Sequence, residues 1–153
     1  MPKVDIASVK IESSTGYPAP YRQAVEGRSR QRLGNMVGLD QFGVNLTRLK
    51  PSSQSSLRHW HESEDEFIYM LEGELVLCED SGETVLRPGD AAGWKAGVQN
   101  GHCLVNRSNR DAVFLEIGSR MKRDSGDYSD IDMKFRKDES SVHYLHKSGE
   151  PYP

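Results

Sequence analysis

His59-Trp60-His61-Glu62-Ser63-Glu64-Asp65-Glu66-Phe67-Ile68-Tyr69-Met70-Leu71-Glu72-Gly73 is the stretch on which the reading of this chain turns. In extended backbone, side chains at i and i+2 leave the same face, so His59 and His61 aim two imidazoles at one point while Trp60 faces away. Two converging imidazoles with a carboxylate close by are the makings of a metal site. Glu66 lies an odd number of residues from His61, so a straight strand would send it to the opposite face. The polar run from Glu62 to Asp65 has the composition of a turn that brings it back. From Glu66 to Glu72 the chain reads as a strand apolar on both sides, with Phe67, Tyr69 and Leu71 on one face and Ile68 and Met70 on the other. One set should line a cavity and the other meet an interface or a second sheet.

Outward from this stretch, residues 42–119 continue as short apolar or alternating runs broken by Gly, Pro, Asp, Asn and Ser, without a long amphipathic helix. Strands are expected at residues 43–49, 56–61, 66–72, 74–79, 83–86, 91–94, 102–106 and 112–117, which is an all-β sandwich or barrel. Gly73 and Ser81-Gly82 sit where hairpins need cheap positive φ. Gly89 and Gly97 read as turn residues that shape the sheets. Residues 1–40 form an extended arm with at most a short strand, since Pro18 and Pro20 argue against a helix passing through them. Residues 120–153, rich in Asp, Ser, Lys and Gly, form a C-terminal extension in which 141–146 adds one more strand and His143 and His146 lie at the surface. At 153 residues the chain is one domain able to bury a core without disulfides. Cys78 and Cys103, isolated in apolar segments, read as packed free thiols.

Charge narrows the function. A net charge of -3 gives no nucleic-acid footprint. Arg22, Arg28, Arg30 and Arg32 cluster near the start but belong to no recognisable nucleic-acid module, and read as a solvated or subunit-facing arm. Residues 1–40 lack a helix-turn-helix pattern, which disfavours a self-contained transcription factor. No apolar run reaches the roughly 18 residues that span a bilayer, and MPKVDIASVK lacks the apolar centre of a secretion signal, so a cytoplasmic location away from membranes is expected.

On these residues the sequence resembles the cupin superfamily. That family's first motif is His, any residue, His, three or four residues, Glu, six residues, Gly, and His59, His61, Glu66 and Gly73 meet every spacing. The second motif is Gly, five residues, Pro, one residue, Gly, two residues, His, three residues, Asn. From Gly89 the chain departs twice from it: Lys95 stands at the proline, and four residues separate Gly97 from His102, after which Asn106 is in place. An even insertion does not flip a strand residue to the other face, so His102 stays the best-matched fourth ligand. Asn100 holds the strictly counted position but offers a poorer donor to a transition metal.

The resemblance implies a small jelly-roll (double-stranded β-helix) cupin barrel over residues 41–119, flanked by the extensions 1–40 and 120–153. It implies one divalent transition metal held by His59, His61, Glu66 and His102. Three imidazoles and a carboxylate suit manganese, iron, cobalt, nickel, copper or zinc. It also implies a homodimer, with the N-terminal arm able to pair with a neighbour's sheet edge. Within the superfamily the chain resembles single-domain bacterial cupins of the sugar-phosphate isomerase type.

The function so implied is a metal-dependent enzyme acting on a small oxygen-rich molecule, with isomerisation of a sugar or sugar phosphate first and decarboxylation or dioxygen chemistry behind it. A non-catalytic cupin that senses or binds a small ligand is the rival. Isomerisation needs a base, for which Lys95, Tyr69 and Glu62 are the candidates. Lys95 could instead hold a phosphate or carboxylate near the barrel mouth.

Overall fold

The computed structural model describes residues 2–153. Among them are strands β1 (Ile11–Glu12), β2 (Arg28–Arg32), β3 (Phe42–Leu49), β4 (Glu66–Glu72), β5 (Leu75–Glu79), β6 (Gly82–Leu86), β7 (Ala91–Trp94), β8 (Cys103–Val105), β9 (Ala112–Ser119), β10 (Asp124–Asp127), β11 (Lys134–Lys137) and β12 (Val142–Leu145). A six-stranded sheet in the order β1-β2-β3-β9-β4-β7 faces a three-stranded sheet in the order β6-β5-β8. Between them lies a core of Leu49, Ile68, Met70, Leu75, Leu77, Leu86, Leu104, Ala112 and Phe114. The chain is all-β, a jelly roll.

The period of two decides which side chains share the interior. In register, Glu66 is opposite Gly118, Ile68 opposite Glu116 and Met70 opposite Phe114. Continuing across the sheet, Glu116 pairs with Asn45, Phe114 with Thr47 and Ala112 with Leu49. One strand further, Asn45 meets Arg32, Thr47 meets Arg30 and Leu49 meets Arg28. The inward face that begins with Glu66 on β4 therefore ends with three arginines on β2. The opposite face carries the rungs Phe67-Ile117-Val44 and Tyr69-Leu115-Leu46, with Phe67 and Tyr69 exposed.

Strands 66–72 and 91–94 fall where the sequence puts them, and the others differ by a few residues at their ends. The expected strand over 56–61 does not form. That segment spends its backbone groups on several partners: Ser55 N–H donates to Leu104 O, His59 exchanges bonds with His102, and Trp60 N–H donates to Asp127 O. Only single bridges result, pairing His59 with His102 and with Tyr128.

Both flanking segments are more ordered than their composition suggests. The N-terminal one adds β1 and β2 to its own chain's sheet, with β1 as the edge strand. A 3-10 helix spans Ala19–Val25 with Pro20 in its first turn, where a missing N–H costs nothing. The C-terminal segment forms a third sheet, β10-β11-β12. Its own core of Tyr128, Met133 and Phe135 takes in Tyr17 and Val25 from the N-terminal segment. Tyr17 meets Tyr128 and Tyr144 edge to face at 5.7 and 5.5 Å.

Gly126 fixes how closely this sheet docks, because a Cβ there would lie 1.9 Å from the Trp60 carbonyl oxygen. Gly73 does the same at the β4–β5 turn: it takes φ of 74°, and a Cβ would meet Asp111 O at 2.6 Å. Cys78 and Cys103 are free and stand opposite each other on β5 and β8.

Candidate metal centre

The backbone bridge between His59 and His102 places their side chains on one side, where Glu66 enters from the start of β4. The irregular chain over 62–65 turns Glu66 onto the face of His59 and His61, as the parity of the sequence requires. His59 Nε2 and His61 Nε2 are 3.1 Å apart. Glu66 bridges the set, with Oε1 3.2 Å from His61 Nε2 and Oε2 2.6 Å from His102 Nε2. All four sequence-selected groups are thus brought together.

Each ring's other nitrogen is committed. His59 Nδ1 faces Leu57 O at 2.8 Å and His102 Nδ1 faces Asn100 O at 3.0 Å. A carbonyl only accepts, so both Nδ1 atoms carry the hydrogen. His61 Nδ1 donates to Asp124 Oδ2 at 2.6 Å. Three Nε2 atoms are left to point at one carboxylate, which is the donor set a divalent cation needs. In this sense the residues fit a metal: His59, His61 and Glu66 lie close enough together to hold one, and His102 joins them through its Nε2 contact with Glu66 at 2.6 Å. A second grouping, His61, Glu64 and Asp124, shares the His61 ring.

The electrostatics reflect the crowding. Burial pushes the His59 pKa down to about 4, with the neighbouring imidazoles adding to the effect. Burial works against charge on His61 too, but the hydrogen bonds to Asp124 and Glu66 outweigh it and raise its pKa to about 10. Burial alone would raise Glu66, yet the same hydrogen bonds from His102 and His61 hold its carboxyl well below the usual range.

Aromatic rings wall the cluster. Trp94 stacks on His102 with centroids 3.9 Å apart and planes 3° off parallel, held by its indole N–H to Glu79 Oε1. Tyr128 stacks on His59 at 5.2 Å, and Phe135 meets His61 edge-on at 5.1 Å. A cavity of about 550 Å³ opens from the cluster and is lined also by Arg28, Arg30, Glu64, Glu116, Lys137 and Tyr144.

The fold and cluster have clear parallels. The cupin domain family matches residues 45–118. The crystal structure of a sugar phosphate isomerase of the cupin superfamily from Silicibacter pomeroyi is 44% identical, covering 99% of this chain and 96% of that one, with a TM-score of 0.96. This chain belongs to the cupin superfamily. A protein from Acidithiobacillus ferrooxidans, named provisionally as a sugar phosphate isomerase, is 26% identical over 79% of this chain and 77% of its own, with a TM-score of 0.75. The polyketide cyclase RemF from Streptomyces resistomycificus is 26% identical over 78% and 79%, with a TM-score of 0.64. Among curated proteins no match is found.

The three residues expected to supply a base do not reach this cupin's cavity. Tyr69 is exposed on the outer face of β4, Glu62 is exposed on the turn, and Lys95 is exposed just after β7. For Tyr69 the signal was in the sequence: if Glu66 points inward, a residue at odd spacing on the same strand points out. Asn100 orients His102 through its carbonyl and does not replace it. Asn106 is fully buried, donating to Leu49 O and Arg110 O, and is structural.

Sequence reasoning missed Asp124, Tyr128, Phe135 and Trp94, and also the arginines of β2. These last are not a solvated arm, because register with β3 turns Arg28 and Arg30 inward. Alternation of Arg at 28, 30 and 32 was the available sign.

Proposed function

We propose that this cupin binds one divalent transition metal through His59, His61, Glu66 and His102, and acts as a metal-dependent enzyme on a small oxygen-rich substrate, with sugar or sugar-phosphate isomerisation the favoured reaction. The observation that carries the reading is the commitment of all three Nδ1 atoms to acceptors, which leaves three Nε2 atoms and one carboxylate turned toward a shared cavity. The 44% identical sugar phosphate isomerase from Silicibacter pomeroyi supports the choice of reaction. When bound, such a metal polarises a carbonyl or hydroxyl that reaches an open position.

The chain's own groups would do the rest. Trp94, Tyr128 and Phe135 exclude water from one side of the imidazoles. Glu116 is the carboxylate placed to exchange a proton with a substrate carbon: it sits on the inward face of β9 opposite Ile68, diagonal to Glu66. Arg30 steadies it, its Nη2 donating to Oε1 at 3.1 Å. Glu116 takes the role that Lys95, Tyr69 and Glu62 cannot fill from outside.

The homodimer and the cytoplasmic location expected from the sequence belong to the same reading. The exposed apolar rungs on the outer face of β3, β9 and β4 are the surface a second copy would cover. The test is turnover: metal-loaded protein is assayed on aldose and ketose phosphates, with His102→Ala and Glu116→Gln as controls. Isomerisation lost in both variants, with metal retained only in Glu116→Gln, supports the proposal. Saturable ligand binding without turnover under any of the candidate metals would replace it with a binding cupin.

A further inference from the structure

Arg28 is only 8% exposed. Among the described residues its guanidinium makes one hydrogen bond, to the Ser55 carbonyl at 2.6 Å, and no salt bridge. Beside it, burial and the neighbouring Arg30 lower its pKa to about 10, so its charge is costly where it stands. A buried guanidinium has five N–H donors and no acceptor of its own. This one lines the same cavity as the imidazoles, and Arg30, two residues along the strand, shares its face.

The wall around the pair is also under-satisfied. Arg30 Nε lies 3.1 Å from Glu116 Oε2 but without the alignment of a hydrogen bond, and the buried Thr47 Oγ1 and Asn45 Oδ1 have no partner among the described residues. Thr47 is the register partner of Arg30. Glu116 pairs with Arg30 directly, whereas it acts on Arg28 only at a distance, and among the described residues no carboxylate contacts Arg28.

We infer that Arg28 and Arg30 form an oxyanion subsite on the cavity wall, which takes the carboxylate or phosphate of a small substrate whose other end reaches the His59, His61, Glu66 and His102 cluster. In assigning that anion to the substrate it rests on the enzyme reading above, but the subsite itself does not depend on metal. Two guanidinium groups on alternate positions of one strand present their donors side by side, an arrangement suited to the paired oxygens of either anion. The walls then select by charge: a neutral sugar would leave Arg28 unpaired, whereas its phosphorylated or acid form would not.

The test is calorimetric titration of the full chain, with and without metal, using inorganic phosphate in one arm and acetate in the other. Variants are Arg28→Gln, Arg28→Lys and His102→Ala. Saturable binding of at least one anion is expected in the wild type, weakened about tenfold or more in Arg28→Gln and partly kept in Arg28→Lys, where charge remains but the fork is lost. The tighter arm identifies the substrate's charged group. Arg28→Gln should keep its metal content and melt no lower than wild type, because it removes a buried charge that no carboxylate pairs while an amide N–H can still reach the Ser55 carbonyl. His102→Ala should lose metal yet bind the anion as before, so a failure of the metal reading shows separately. No anion binding in the wild type, binding unchanged in Arg28→Gln, or binding that disappears with the metal would overturn the subsite.

Discussion

Replacing Asp124 by Asn removes one charge and almost no volume, yet the geometry leaves the amide no good orientation. Asp124 Oδ2 accepts from His61 Nδ1 at 2.6 Å while Oδ1 accepts from Ser63 N–H at 2.8 Å, and the side chain is 0% exposed. If the Asn oxygen faces His61, its NH₂ meets the Ser63 N–H, donor against donor, at a cost of about 1–3 kcal/mol for a buried group left unpaired. If its NH₂ faces His61, the ring must shift its hydrogen to Nε2, the atom that points into the cluster. In that case metal affinity falls by the roughly 10–100-fold typical of a lost ligand-orienting partner, about 1.4–2.7 kcal/mol. Competition against a chromogenic chelator at pH 7 reads the affinity, and thermal unfolding of the metal-free protein reads the stability. An Asp124→Asn protein that binds metal within about twofold of wild type and melts unchanged would refute the assignment of Asp124 as the residue that orients His61.

The pKa shifts set a pH profile for the metal-free protein. His61, raised to about 10, contributes stability that is complete below its unfolded pKa of about 6.5 and is lost as pH rises toward 10. His59, lowered to about 4, costs stability as pH falls from about 6.5 toward 4, because only the unfolded chain takes up that proton. The melting temperature in chelator should therefore peak near neutrality, and a steady rise up to pH 9 would contradict it. Metal binding at pH 7 should release a proton from His61, seen as a calorimetric enthalpy that varies with the buffer's ionisation heat; equal enthalpies in all buffers would count against it. Gly126→Ala should lower the denaturant midpoint by about 1–3 kcal/mol equivalent or prevent folding, since its Cβ meets Trp60 O and the Phe135 ring. Tyr69→Asp, on the exposed outer face, should convert a dimer to a monomer by light scattering; an unchanged mass would move the interface elsewhere.

What could be read from the sequence was whatever depends on local period and spacing. His59, His61 and Glu66 follow from extended chain, a polar turn and a strand, and His102 follows because an even insertion keeps its face. The side of β4 that holds Tyr69 was ambiguous from hydrophobicity alone, since both faces are apolar, and only the direction of Glu66 resolves it. Asp124 could not be seen, because its role is defined by a ring 63 residues away and its neighbours are polar. Arg28 and Arg30 looked solvated for a related reason: β2 contains no apolar residue, and its inward side faces a polar cavity instead of the core. The segment over 56–61 has strand-like composition but bridges several partners, so no ladder develops.

The chamber is roofed by the C-terminal sheet, and synthesis runs from the N-terminus, so its construction has an order in time. The imidazoles, Glu66 and the barrel that holds them leave the ribosome before Asp124, Tyr128 and Phe135 exist. A nascent cupin at that stage has its cluster of donors, but His61 is still free to turn and one flank is open to water. Its wall is thus completed last, when the final strands close over a cluster whose donors all lie in residues 59–102.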